Sequence, residues 1–127
     1  VTVPILEQGD VLIASVQAAL TDADWKSLQT DLAARIGARR ARGVVLDVTV
    51  LDVLDSFATR TLRSIAHVAR LRGARVVIAG IQPDVALAMA QLGLTARLGQ
   101  IDTALDLEAG LAELGRRLGR RGGRRGR

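Results

Sequence analysis

Ser56 stands directly after Asp55 and four residues before Arg60. Behind it, Leu62, Ile65 and Ala69 recur at helical spacing, so Asp55 or Ser56 opens a helix that runs to about Arg72, with Gly73 as its stop. At 100° per residue, Arg60, Arg63, His67 and Arg70 fall within roughly 80° of one another, and Ser56 projects into the same arc. A helix N-terminus offers free backbone N–H groups and the positive end of the dipole, so a phosphate on Ser56 would be stabilised there. Arg60 could pair with it. Thr59 and Thr61, about one turn on, are the rival acceptors. A plain N-capping serine beside a solvated basic face fits the same residues.

Other chemistry finds less support. His67 is the single histidine, and eleven residues along one helix put it roughly 16 Å from Ser56, too far for a nucleophile–base pair. Ser64 lacks the strand-to-helix elbow a nucleophile needs. Asp47, Asp52 and Asp55 cluster after a strand, where acids could hold Mg²⁺ or accept a phosphoryl group. Yet Asp47-Val48-Thr49-Val50 lacks a second Asp, and Lys26, the only lysine, is poorly placed for a receiver-type pocket. Turn and helix-capping roles explain these acids more simply. No phosphate-cradling glycine motif follows a strand. With no cysteine, neither a disulfide framework nor a thiolate zinc site is possible. The expectation is no catalytic residue, no cofactor and no metal.

These residues need a scaffold to place them. Val3 to Leu6 and Val11 to Val16 are short β-prone runs around a Gln8-Gly9-Asp10 turn. Thr21 to Asp24 resembles an N-cap with acids in the first turn, ahead of Trp25, Leu28, Leu32 and Ile36 at helical spacing. Val44-Val45-Leu46 and Val76 to Ala79 are continuous and β-branched, as expected of strands covered on both faces. Pro83 starts a third helix with Val85, Met89 and Leu92 on one face and Gly93 at its end. A short strand is expected near Arg97 to Gly99. Asp102 is then expected to cap a last helix carrying Leu107, Leu111, Leu114 and Leu118. The order β-β-α-β-α-β-α-β-α predicts one α/β domain with a mostly parallel sheet and one antiparallel hairpin.

Length and charge agree with this. The 127 residues are 49% hydrophobic, enough for one domain with a real core. No apolar run approaches the ~18 residues of a membrane span, so a cytoplasmic protein without a membrane partner is expected. The net charge of +5 is unevenly spread. Residues 116–127 hold seven Arg and no acid, whereas residues 1–115 hold 11 basic and 13 acidic residues, a net of −2. The expected division is therefore a folded domain over 1–115 and a flexible Arg/Gly-rich tail over 116–127. Nucleic acid is not an expected partner of such a body. Paired Arg and Gly without aromatic residues would suit only non-specific polyanion attachment, and an adaptor acting through the tail is the alternative reading.

Gly43 to Thr49, followed by Leu51-Asp52-Val53-Leu54-Asp55-Ser56-Phe57, resembles the central motif of STAS domains, the sulphate-transporter and anti-sigma-factor-antagonist family. Val3 to Leu6, Val76 to Pro83 and Thr103 to Glu108 agree in order and spacing, so the likeness covers about residues 3–114. The D-S-F form is similar to the stressosome-scaffold branch, the RsbS-like members. This resemblance implies a sheet with helices on one side and no enzymatic activity. It implies homo- or hetero-oligomers with RsbR-like STAS paralogues and sequestration of an RsbT-like serine kinase. The kinase would phosphorylate Ser56 and be released, and an RsbX-like phosphatase would reset the state. Asp52, Asp55, Phe57, Thr59, Arg60 and Arg63 would then form the surroundings of the phosphosite and the partner-binding surface. The Arg-rich tail has no counterpart in the family pattern.

Overall fold

Gly9 adopts a φ of +62°, a conformation that costs glycine nothing, and the two-residue turn it shares with Asp10 folds β1 (Ile5–Gln8) antiparallel onto β2 (Val11–Ser15). The computed structural model describes residues 2–91 and 101–119. Beyond the hairpin, β2, β3 (Gly43–Asp47), β4 (Arg75–Ala79) and β5 (Asp102–Ala104) pair in parallel, giving the sheet order β1-β2-β3-β4-β5. The connecting helices are α1 (Asp22–Arg39), α2 (Ser56–Leu71) and α3 (Pro83–Gln91), and α4 (Leu107–Arg117) follows β5. The element order is the one expected.

Local signals act where the sequence places them. Thr21 Oγ1 accepts from the Asp24 N–H at 3.1 Å, and Asp24 Oδ2 accepts from the Thr21 N–H at 3.0 Å, a reciprocal capping box that starts α1. That Thr21 N–H holds the Asp24 carboxyl below its ordinary value. Trp25, Leu28, Leu32 and Ile36 are all buried. α1 stops at Arg40, which takes a left-handed φ of 51°.

The period-two alternation of the strands divides the core in two. Leu12, Ala14, Val44, Leu46, Val76 and Ile78 meet the apolar stripes of α1 and α2, together with Val85 and Met89 of α3. Val11, Ile13, Val45, Val77 and Ala79 point to the other face, where Leu114 covers them, flanked by Leu107 and Leu111. Here the expectation of helices on one side needs correcting, because α4 lies on the opposite face. The reason is in the strands themselves. Val44, Val45 and Leu46 are wholly buried in succession, so each face requires its own apolar cover, at roughly 1.5–3 kcal/mol per large side chain removed from water. Glycines let α4 approach closely: a Cβ on Gly110 would stand 3.2 Å from Val45 Cγ1.

Two further expectations change. Asp102 lies in β5 rather than at a helix start; Asp106 is the cap, accepting from the Ala109 N–H at 2.8 Å. Arg116 and Arg117 belong to α4 and ion-pair with Glu113, so the folded chain passes the expected boundary at 115. Leu92, Gly93 and the strand expected over 97–99 lie outside the described residues, as does the tail from 120 onward.

Candidate functional site

β3 ends at the carboxyl edge of the sheet with Asp47, and eight residues carry the chain from there to α2. Val48 first extends the parallel ladder by donating to the Ala79 carbonyl at 2.9 Å. Asp47 then turns the chain: its Oδ1 accepts from the Thr49 N–H at 3.0 Å and from Thr49 Oγ1 at 2.6 Å. Thr49 is fixed from its other side by Gln82, whose Nε2 donates to the Thr49 carbonyl at 2.6 Å. Leu51 and Leu54 anchor the loop in the core, while Val50 and Val53, respectively 56% and 73% exposed, are left on the surface with Asp52.

Asp55 is the N-cap of α2, with Oδ1 accepting from the Ala58 N–H at 2.8 Å and its carbonyl accepting from the Thr59 N–H at 2.9 Å. Ser56 is therefore the first residue of the helix, and it is exposed. The N–H groups of Ser56 and Phe57 have no intrahelical acceptor, by the geometry of any helix start. The Ser56 hydroxyl thus stands where a phosphate would gain from both the free donors and the dipole.

The arc expected on α2 exists. Arg60, Arg63, His67 and Arg70 are exposed on the same side as Ser56 or beside it, and Leu62, Ile65 and Ala69 are buried against the sheet. Phe57 is half-buried and packs on the core. The rival acceptors do not share the surface. Thr59 is completely buried, its Oγ1 without a hydrogen-bond partner among the described residues, and Thr61 is 6% exposed with Oγ1 donating to the Phe57 carbonyl. The expectation that Thr59 belongs to the accessible surroundings of Ser56 needs correcting, because its burial removes it from any partner-binding surface.

The acid cluster resolves in the same detail. Asp47 and Asp55 are engaged in the turn and the cap, the roles read from sequence. Among the described residues, no three or more His, Asp or Glu side chains gather as a metal would require. What the sequence does not reveal is the support beneath the loop: Thr49, Gly80 and Gln82. None is distinctive by type, and only the glycine after β4, at φ +83°, carries a sequence signal, since the close of a parallel strand is where chain crossings crowd.

Comparison with known proteins agrees with this geometry. The STAS domain family matches residues 2–108. RsbS from Moorella thermoacetica, in a serine-to-glutamate variant, is similar in structure at a TM-score of 0.78 and 33% identity, over 91% of this chain and 97% of that one. A chain from a structure describing the stressosome as a signal integration and transduction hub is similar at a TM-score of 0.77 and 35% identity, over 93% of this chain and 100% of that one. The RsbT co-antagonist protein RsbRA of Bacillus subtilis is 28% identical over 86 residues. Those residues are 68% of this chain but 31% of that relative, so the chain spans about a third of its length.

Proposed function

The chain belongs to the STAS domain family, and from that premise we propose that it is an RsbS-like scaffold that holds a serine kinase and releases it when Ser56 is phosphorylated. The broader part of the reading, an anti-sigma-factor-antagonist scaffold in stress signalling, rests on relatives at 33% and 35% identity that cover almost the whole chain. Likeness to RsbRA supports co-assembly with RsbR-like STAS paralogues. An RsbT-like kinase and an RsbX-like phosphatase complete the cycle.

One observation carries the choice of Ser56. Of the hydroxyls in the first two turns of α2, Ser56 alone is exposed, while Thr59 and Thr61 are buried. A kinase must bring its acceptor hydroxyl in line with a bound nucleotide, and of these three only Ser56 can be approached without unfolding the helix. The product is compatible with the fold. A phosphate of about −1.5 to −2 charges would lie on the free N–H groups of Phe57 and Ser56, within reach of Arg60 one turn on.

The effect falls on the partner. Asp52 and Asp55 flank Ser56 at this edge, so phosphorylation turns the loop and helix start into a concentrated anionic surface. A kinase docked on the unmodified surface then meets like-charge repulsion and unmatched desolvation, which act mainly on its dissociation rate. Exposed Val50 and Val53 supply the apolar contact beside it.

The test is phosphate transfer. Purified protein with an RsbT-like kinase and ATP should take up one phosphate, mapped to Ser56 by mass spectrometry, and Ser56→Ala should take up none. Incorporation into Ser56→Ala at the wild-type level would refute the assignment.

A further inference from the structure

Gln82 stands immediately before α3, and its carbonyl accepts from the Ala86 N–H at 2.9 Å, which makes it the N-cap residue of that helix. Capping draws on short polar side chains that fold back onto the N–H groups of their own helix, and glutamine is not among them. The Gln82 amide turns away from α3 instead. Its Nε2 donates to the Thr49 carbonyl at 2.6 Å, 33 residues back in the chain, and among the described residues this is the one hydrogen bond the side chain makes. Local helix chemistry therefore gives no reason for a glutamine here. The base from which the amide reaches out is firm. Pro83 confines the residue before it to extended backbone, and Ile81 and Val85 to either side pack on the core.

The bond falls on a peptide that no other hydrogen bond fixes among the described residues. The Leu51 N–H donates to the Val48 carbonyl at 3.0 Å and closes a β-turn with Thr49 and Val50 at its centre. Asp47 holds the Thr49 N–H and hydroxyl, and Gly80 crosses against the Thr49 Cα and side chain. None of these contacts acts on the Thr49–Val50 peptide. The closing bond of a β-turn survives rotation of its central peptide, which is what separates one turn type from another. Val50 resists complete reversal, since that needs a positive φ at a β-branched residue, and among the described non-glycine residues only Arg40 has one. Gln82 holds the plane against the remaining motion. That plane sets the direction of the Val50 side chain, which is 56% exposed in the loop leading to Ser56.

From this we infer that Gln82 is a positioning residue for kinase docking, holding the Thr49–Val50 peptide so that Val50 meets the kinase in one orientation. The inference rests on the reading of Ser56 as the phosphosite and adds to it a residue from the start of a different helix. Ser56 itself does not depend on Gln82. Leu54, buried in the core, and the Asp55 cap set its place. Gln82 therefore governs how well the kinase binds and not how fast the bound kinase transfers phosphate. Without the amide donor the loop spends a smaller share of its time in the docking form, and the apparent affinity falls with that share. A bond that served stability alone would leave both constants unchanged in the folded protein.

The experiment is steady-state phosphorylation of the full chain by an RsbT-like kinase at saturating ATP, with the concentration of the chain varied. Circular dichroism checks that each protein is fully folded at the assay temperature. Gln82→Met keeps the length of the side chain and removes the donor. It should raise KM about 3–10-fold, the range that one net hydrogen bond supports, and leave kcat unchanged. Gln82→Ala should do the same, and it carries the test if the Met variant misfolds. Amide exchange at Val50 should quicken in Gln82→Met, while exchange at Ala58 and Thr59 at the start of α2 stays as in the wild type. An unchanged KM in the folded variants, with the wild type phosphorylated at Ser56, would overturn the inference and leave the phosphosite reading standing. A fall in kcat at unchanged KM would also overturn it, since Gln82 would then act on the hydroxyl and not on docking. Phosphorylation of Ser56→Ala at the wild-type level, measured in parallel, would remove the reading beneath the inference and the inference with it.

Discussion

Thr49 crosses Gly80 at backbone contact: a Cβ on Gly80 would lie 2.8 Å from Thr49 Cβ and 2.9 Å from Thr49 Cα. Gly80 also holds φ +83°, so two independent requirements, space and handedness, meet at one residue. The loop that delivers Ser56 is seated on that crossing, with Asp47 beneath Thr49 and Gln82 beside it.

Gly80→Ala should therefore destabilise the domain by more than about 2 kcal/mol, since left-handed strain alone costs about 1–2 kcal/mol and the clash adds to it. Urea unfolding followed by circular dichroism measures this. Adding Thr49→Ala should recover only part of the loss, because the Thr49 backbone and Cβ remain in the way.

Asp55→Ala should cost about 1 kcal/mol by removing the acceptor of the Ala58 N–H, whereas Asp55→Asn should retain most of the stability. The same pair of variants separates capping from partner recognition. If Asp55→Asn unfolds like wild type yet loses kinase affinity, the charge is read by the partner.

Thr59→Val should raise stability by about 1 kcal/mol. The Thr59 hydroxyl is buried without a partner among the described residues, and replacing it with a methyl group of the same shape removes an unrepaid desolvation. An unchanged or lowered unfolding midpoint would show that the hydroxyl is satisfied in solution.

The end of α4 should loosen in acid. Hydrogen bonds from Arg117, and then Arg116, hold the Glu113 carboxyl below its ordinary value. A carboxyl depressed in the folded state stabilises that state above its unfolded pKa and loses the contribution as pH falls through the folded value. Amide exchange in 113–117, corrected for intrinsic rates, should then accelerate below the ordinary Glu range, and Glu113→Gln should remove that pH dependence.

How much of the fold and site is legible in the sequence depends on what each residue answers to. Thr21, Asp55, Gly9 and the α1 stripe answer to near neighbours in the chain, and all stand where their types and spacing put them. The side of the sheet taken by α4 answers to strand residues that stand far off in the chain, from Ala79 and Val77 back to Val11. The continuous burial of Val44 to Leu46 signals that two covers are needed without saying which helix supplies the second. Thr59 is the instructive case on α2. At 100° per residue it falls about 20° from exposed Arg70, at the border of the polar arc. Neighbouring elements, not helical spacing, decide that it is buried. Asp102 and Asp106 present the same acid four residues apart ahead of one apolar stripe, and only the pairing of β5 with β4 tells strand from cap.

The central claim is that one hydroxyl at the start of α2 controls whether a kinase is held. The direct measurement is retention of an RsbT-like kinase on immobilised protein before and after addition of ATP, with intact mass recorded on the same sample. Wild-type protein should retain the kinase without ATP and lose it in proportion to the phosphate gained. Ser56→Ala should retain it in both conditions. Ser56→Asp should retain it weakly from the start, having about half the charge and fewer acceptor oxygens than a phosphate. Release of the kinase from Ser56→Ala on adding ATP, or full retention by fully phosphorylated wild-type protein, would contradict the account.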